Sequence, residues 1–129
     1  MENTHLEIFG RILMSAVRDR AIRKYDSSAD GKMKSKKALL VADVIQALNE
    51  EAQHGVRNVV ISTIDNVIFN LLFMIESGED SINVIISDGY DWSGSLADLS
   101  DGLAGEMFGD EGWIEQYSEF RNDGFDDFT

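Results

Sequence analysis

The feature that most constrains the fold is an apolar run from Arg57 to Glu76. Apolar residues recur in it at steps of three and four, which is the spacing of an α-helix. They form two neighbouring stripes: Val60, Ile64, Val67, Leu71 and Met74, and beside them Ile61, Ile68, Leu72 and Ile75. Because apolar side chains cover most of the circumference, the pattern predicts a central helix that is buried on most sides.

This helix is long enough to cross a membrane, but it contains Asp65, Asn66 and Asn70. An ionised carboxylate at the bilayer centre costs about 2.5–3.5 kcal/mol even on the lenient insertion scale. The N-terminus also has acidic residues where a secretory signal needs basic ones. We therefore expect a soluble cytoplasmic protein that makes no membrane contact.

The pattern on either side of the central helix predicts a mostly α (α+β) fold, with about five helices around residues 57–76 and a small hairpin near 82–95. A capping box at Thr4 and Glu7 predicts a first helix from about His5 to Lys24. We expect the second helix at residues 35–54, ended by Gly55, and the central helix to end at Gly78. Strands are predicted at 82–86 and 90–95 around an Asp88-Gly89 turn, followed by helices at 96–107 and from residue 113.

The length of 129 residues predicts one domain, at residues 1–121, followed by a flexible acidic and aromatic tail at 122–129. The chain has no cysteine, which excludes disulfides and thiolate metal sites. His5 and His54, the two histidines, have no partner at metal-ligand spacing. No metal or cofactor is predicted.

Charge is divided unevenly along the chain. Residues 1–57 hold ten Lys or Arg and eight Asp or Glu, a net of +2, whereas residues 58–129 hold one basic and sixteen acidic residues, a net of −15. The sum is the chain's net charge of −13. Such a distribution favours either simple solubility or a negative surface that meets a basic partner.

Two short patterns suggest ion or phosphate binding. Residues 26–31, Asp-Ser-Ser-Ala-Asp-Gly, begin like an EF-hand calcium loop, but loop position twelve is Lys37 where a glutamate is needed. A capped turn between helices is therefore the preferred interpretation. The lysines at 32, 34, 36 and 37 lack interleaved aromatic residues, so we expect no direct nucleic-acid binding.

Asp65 is the one acid inside the apolar helix, and a buried carboxylate without a partner would be costly. The spacing favours a narrow exposed strip that Asp65 forms with Ser62, Asn66 and Asn70. The alternatives are an ion pair with Arg11 or Arg18, or the floor of a polar pocket.

The strongest candidate for an interaction site is the acidic and aromatic stretch from Asp88 to Phe120, which no basic residue interrupts. Carboxylates steer and pair with a positive partner, while aromatic residues anchor interfaces. The predicted partner-binding residues are Asp91, Trp92, Asp98, Asp101, Glu106, Asp110, Glu111, Glu115 and Tyr117, with Trp92 and Tyr117 as anchors.

These features favour a non-enzymatic acidic binding protein that neutralises a basic partner protein. Toxin-neutralising immunity proteins are similar in charge and size, although no sequence motif links them to this chain. One alternative is a DNA mimic, which needs carboxylates laid out along a long face. Another is a metal-dependent or hydrolytic enzyme that uses Asp65 and neighbouring carboxylates. No catalytic residue is predicted, and the oligomeric state is left open.

Overall fold

A computed structural model describes residues 4–78 and 81–121 of the chain. Helix α1 spans residues 4–29 and is built from α-helical Thr4–Leu13, π-helical Met14–Asp19 and α-helical Arg20–Ala29. It is followed by α2 (Lys36–Gln46), α3 (Glu50–Ser77), β1 (Ile85–Ser87), β2 (Ser93–Ser95), two 3₁₀ turns (Leu96–Leu99 and Ala104–Met107) and α4 (Trp113–Tyr117). The prediction of a mostly α fold with a small hairpin is confirmed.

The boundary between α2 and α3 differs from the predicted one. α2 ends at Gln46, and Asn49 begins α3 by accepting a hydrogen bond from the Ala52 amide at 2.8 Å. Glu50 and Glu51 then lie in the first turn, where carboxylates complement the helix dipole. The predicted end at Gly55 is wrong, because Gly55 lies inside α3.

Helix α3 ends at Gly78 as predicted, with a left-handed φ of 65°. The prediction that α3 is buried on most sides is wrong, because its neighbours cover one face only, which comprises Ile61, Asp65, Ile68, Leu72 and Ile75. On the opposite face Val59 is 65% exposed and Val67 62% exposed. By length and composition α3 could cross a membrane, since an 18-residue window has a mean hydropathy of 1.7, and 28% of that window is buried.

The core lies between α3, the first half of α1 and the segment that follows the hairpin. Its buried residues are Leu6, Leu13 and Met14 of α1, Ile68, Leu72 and Ile75 of α3, and Leu96, Leu103, Ala104, Met107, Trp113 and Ile114 further along the chain. Half of this cluster therefore comes from residues 96–114, in the acidic part of the sequence. Its apolar residues hold that part against the two long helices.

The predicted helix at residues 96–107 is wrong, because this stretch forms two separate 3₁₀ turns. Two glycines, Gly102 and Gly105, weaken a continuous helix there by about 1 kcal/mol each. Side-chain hydrogen bonds replace the missing helical ones. Glu76 of α3 accepts from the Ala104 amide at 2.9 Å, and Ser100 donates to Glu106 at 2.8 Å.

The hairpin is shorter than predicted. β1 and β2 pair antiparallel over three residues each, with Ile86 opposite Gly94. The predicted two-residue turn is wrong, since residues 88–92 form a longer loop in which the Asp88 carboxylate accepts from the amides of Tyr90 and Trp92 at 2.8 and 3.3 Å. Such a local bond stabilises turns that the backbone alone does not close.

The chain beyond α4 runs back along the helices. α4 ends at Tyr117, and Phe120 lies three residues past its end. The predicted flexible tail at 122–129 lies outside the described residues.

Candidate interaction surface

The residues after α3 carry a surface of one charge sign. Among residues 81–121 the carboxylates are Asp88, Asp91, Asp98, Asp101, Glu106, Asp110, Glu111, Glu115 and Glu119, and all except the half-buried Glu106 are exposed. We call the eight exposed ones the acidic surface. The segment has one basic residue, Arg121, whose Nη1 lies 3.9 Å from a Glu115 carboxylate oxygen. Arg23 of α1 pairs with Glu119 in a solvent-exposed contact.

Six of the seven predicted partner-binding carboxylates belong to the acidic surface. Asp91 lies in the hairpin loop, Asp98 and Asp101 in and just after the first 3₁₀ turn, Asp110 and Glu111 before α4, and Glu115 on α4. Glu106 differs, because it is half-buried and bound by Ser100. The side chains that carry the charge are thus open to solvent, while the backbone that bears them is held by the core.

The two predicted anchors already have partners within the molecule. Trp92 stacks on His5 of α1, with ring centroids 3.8 Å apart and an angle of 6° between planes. Tyr117 is half-buried against the core. The aromatic residue that projects freely is Tyr90, which is 93% exposed in the hairpin loop between two aspartates. Tyr90 was not predicted as a partner-binding residue, although its place in an Asp-Gly-Tyr-Asp turn indicates an exposed side chain.

The hairpin loop holds its first aspartate in the charged form. The Tyr90 amide, which donates to the carboxylate, lowers the pKa of Asp88, and the Trp92 amide and nearby His5 act in the same direction. Asp88 is fully exposed, so its charge is available to a partner. The same hydrogen bonds fix the direction in which the loop presents that charge.

Asp65 pairs with a buried arginine. Both of its carboxylate oxygens accept from Arg18, at 2.6 Å from Nε and 3.2 Å from Nη2, and Arg18 is fully buried. Of the alternatives for Asp65, the ion pair with Arg18 is therefore confirmed. The favoured exposed strip is wrong for Asp65, although Ser62, Asn66 and Asn70 are exposed. Position 65 is in line with Ile61 and Ile68 of the second apolar stripe, but its partner lies 47 residues away and no local pattern identifies it.

A second part of the same network ties the end of the acidic segment to α1. Arg18 donates from Nη1 to the Ser118 hydroxyl at 2.8 Å and to the Phe120 carbonyl. The Ser118 hydroxyl donates to Asp19 at 2.5 Å, and the Glu119 amide donates to the other Asp19 oxygen at 3.0 Å. Arg18 and Asp19 are adjacent in the π-helical part of α1, and both are buried. The network fixes residues 118–120 against the helices.

Residues 26–31, which resemble the start of a calcium-binding loop, do not form such a loop in the structure. Residues 26–29 continue helix α1, and the Asp26 carboxylate accepts from Arg57 of α3 at 2.8 and 3.0 Å. This hydrogen bond to Asp26 raises the pKa of Arg57. Asp26 thus connects two helices and is not the first ligand of an open loop. Among the described residues no three His, Asp or Glu side chains gather as a metal site would require.

A cleft of about 410 Å³ lies beside this ion pair, between α1, α2 and α3. Tyr25, Gln46, His54 and Arg57 contribute polar groups to its lining. Burial, followed by the charge of Asp26, raises the pKa of Tyr25. The Tyr25 hydroxyl is buried and has no hydrogen-bond partner among the described residues.

Comparisons with protein-family models, with curated proteins and with solved structures gave no match to this chain.

Proposed function

We propose that this protein is a non-enzymatic, cytoplasmic binding protein whose acidic surface occupies a basic surface on another protein, in the manner of an immunity or inhibitor protein. The observation that carries the proposal is the placement of charge. Eight exposed carboxylates lie in residues 81–121, whose apolar side chains form half of the core. The backbone that carries these charges is therefore held by the core, which lowers the ordering cost of binding.

Electrostatic attraction would act before contact. No lysine or arginine occurs between Arg57 and Arg121. Among the described residues, arginines lie beside Glu115 and Glu119 of this surface, so most of its negative field is not offset by ion pairs. Surfaces of one sign raise association rates with an oppositely charged partner, and salt weakens the effect over a Debye length of about 8 Å at physiological ionic strength. Exposed Tyr90, flanked in the loop by Asp88 and Asp91, supplies an aromatic group of the kind enriched at interface hot spots.

Two observations favour a protein partner over the alternatives. A DNA mimic needs carboxylates along an extended face, whereas the acidic surface lies on the hairpin loop, on turns and on a five-residue helix. The long helix α3 has no exposed charged side chain between Arg57 and Glu76. The enzyme alternative assigned a catalytic role to the Asp65 carboxylate, but both oxygens of this carboxylate accept hydrogen bonds from Arg18.

The test is capture of partners from a native lysate at about 0.1 M and about 1 M NaCl. One bait variant neutralises four exposed carboxylates of the acidic surface, by Asp98→Asn, Asp101→Asn, Asp110→Asn and Glu111→Gln. A matched control makes the same change in charge elsewhere, by Asp30→Asn, Asp43→Asn, Glu50→Gln and Glu51→Gln, all at exposed positions. Mass spectrometry identifies each captured protein and its isoelectric point.

We expect one basic protein, captured in stoichiometric amount at low salt and released at high salt. The acidic-surface variant should lose it, and the control should retain it. If no basic protein is captured at low salt, or if both variants lose it equally, the proposal is wrong.

A further inference from the structure

A second surface lies beside the hairpin and is almost entirely apolar. It is a groove of about 440 Å³ between the outer face of α1 and strand β1, and we call it the hairpin groove. Its apolar walls include Ile8, Phe9, Ile12 and Val17 of α1 and Ile86 of β1. Ile12 is 53% exposed, so the groove opens to solvent and none of the described residues fills it.

The groove borders the unpaired edge of β1. Neighbouring side chains of a strand point to opposite faces, yet Ile86, Ser87 and Asp88 all line the groove, and no residue of β2 does. Strand β1 is paired with β2 alone in the part of the chain that the structure describes. The groove is therefore reached along the edge of β1 that β2 leaves free.

That edge has backbone groups ready to bond. Val84 accepts from the Leu96 amide at 2.8 Å, and the Asp88 amide donates to Trp92 at 3.2 Å, so the even-numbered residues bond towards β2. In an antiparallel pair the intervening residues direct their amides and carbonyls the other way. The amides and carbonyls of Ile85 and Ser87 thus face outward, as at any strand edge that can accept another strand.

We propose that the hairpin groove binds an extended, basic segment of the partner protein, which adds to β1 as a third strand. Alternate side chains of an added strand face the same side. Apolar residues of such a segment would enter the groove against Ile8 and Ile12, and its lysine or arginine residues would lie towards solvent and the hairpin loop. This proposal rests on the proposed function, because it describes how the basic partner would bind.

Charge at the hairpin end of the groove selects a basic residue of the segment there. Asp88 lines the groove, and Asp91 lies in the same loop, which carries no basic residue. His5 lines the same end and stacks on Trp92, whereas the exposed Arg11 and Arg20 lie further along α1. A purely apolar segment would gain nothing from these charges, and an acidic one would be repelled.

The test uses a capped synthetic peptide of alternating lysine and valine as the probe, with the same peptide carrying glutamate for lysine as its control. Binding to the full chain is followed by NMR, through the amides of Ile85 and Ser87 and the methyl groups of Ile8 and Ile12. We expect saturable shifts at these positions with the lysine peptide. The glutamate peptide should produce none.

Two pairs of variants locate the site. Ile12→Lys should weaken binding of the lysine peptide about tenfold, whereas Val59→Lys, at another exposed apolar position on α3, should not. Ile85→Pro removes an outward amide and should weaken binding similarly, while Ile85→Thr shortens the same side chain but keeps the amide. If Ile85→Pro fails to fold, the Ile12 and Val59 pair decides.

The groove proposal is overturned if the lysine peptide does not bind, if it shifts only residues 98–115, or if Ile12→Lys binds as tightly as the unaltered chain. If a basic lysate protein is captured and any of these results is also found, the proposed function is supported and binding in the hairpin groove is excluded. Peptide binding in the groove without a basic lysate partner supports the groove and contradicts the proposed function.

Discussion

At the scale of single residues, the most consequential arrangement is the buried network around Arg18. It joins α1 to α3 through Asp65 and to residues 118–120 through Ser118 and Phe120. Charges removed from water are stable only when each finds a partner. Because several of these groups lie on different elements, the network resists movement of the end of the acidic segment relative to the helices.

Replacing Arg18 with leucine leaves Asp65 buried without its partner. We expect Arg18→Leu to lower the free energy of unfolding by about 3–5 kcal/mol, as measured by urea denaturation. The double variant Arg18→Leu with Asp65→Leu should recover part of that loss, because no unpaired charge remains between the helices.

The exposed ion pair of Arg23 with Glu119 provides the control. Arg23→Leu should cost less than about 1 kcal/mol, since solvent screens exposed pairs. Equal losses for Arg18→Leu and Arg23→Leu would show that the buried network contributes no special stability.

At the scale of elements, the packing of α1 against α4 depends on a glycine. A Cβ added at Gly10 would overlap the indole ring of Trp113, whereas one added at Gly55, inside α3, would meet nothing within 4 Å. Gly10 therefore allows α1 and α4 to pack closely at this point. Gly55, by contrast, has no packing or turn requirement.

The same substitution at these two glycines should have opposite effects. Gly10→Ala should destabilise the protein by about 1–3 kcal/mol through overpacking, and Gly55→Ala should stabilise it by about 0.5–1 kcal/mol because alanine favours helices. Urea denaturation measures both. In the Gly10→Ala background, Trp113→Leu should cost less than it does alone, because it removes the ring that the new methyl group meets. A neutral Gly10→Ala, or a destabilising Gly55→Ala, would contradict the assigned packing.

At the scale of the whole molecule, the net charge of −13 acts against the compact state. The repulsion is concentrated after residue 57, where the net charge is −15. Between about 0.01 M and 1 M salt the Debye length falls from about 30 to 3 Å, which screens these charges from one another.

We therefore expect the melting temperature to rise with NaCl over that range, by several degrees. A gain of about 1 kcal/mol corresponds to roughly 4 °C for a chain of this size. Differential scanning calorimetry measures the change. The variant with four neutralised carboxylates at 98, 101, 110 and 111 should show a smaller rise and a higher melting temperature at low salt. A melting temperature that is independent of salt would contradict this picture.

Local sequence signals predicted the elements whose contacts are also local. The period of α3, its end at Gly78, the first helix, the hairpin and the short helix at Trp113 all follow from spacing, glycine positions and turn residues. The signal for the start of α3 was also local, because Asn49 precedes two glutamates, but the glycine at 55 was given too much weight.

The sequence predicted which charged residues of the candidate site are exposed, but it did not predict which residues contact each other. Carboxylate positions such as Asp98 and Asp110 are exposed, as unpaired charged residues usually are. Trp92 was predicted as a free anchor, yet it stacks on His5, which is 87 positions earlier in the chain. No local pattern records such a pairing, and the same holds for the open edge of β1 beside α1.

The helical periods, the identity of the apolar residues and the separation of charge depend on residue type and spacing, so they can be read from the sequence. The tertiary contacts select which stripe of α3 is buried, pair Arg18 with Asp65 and divide residues 96–107 into turns. Both stripes of α3 are apolar enough for a core, and the selection depends on distant partners such as Arg18, which is 47 residues from Asp65 in the chain.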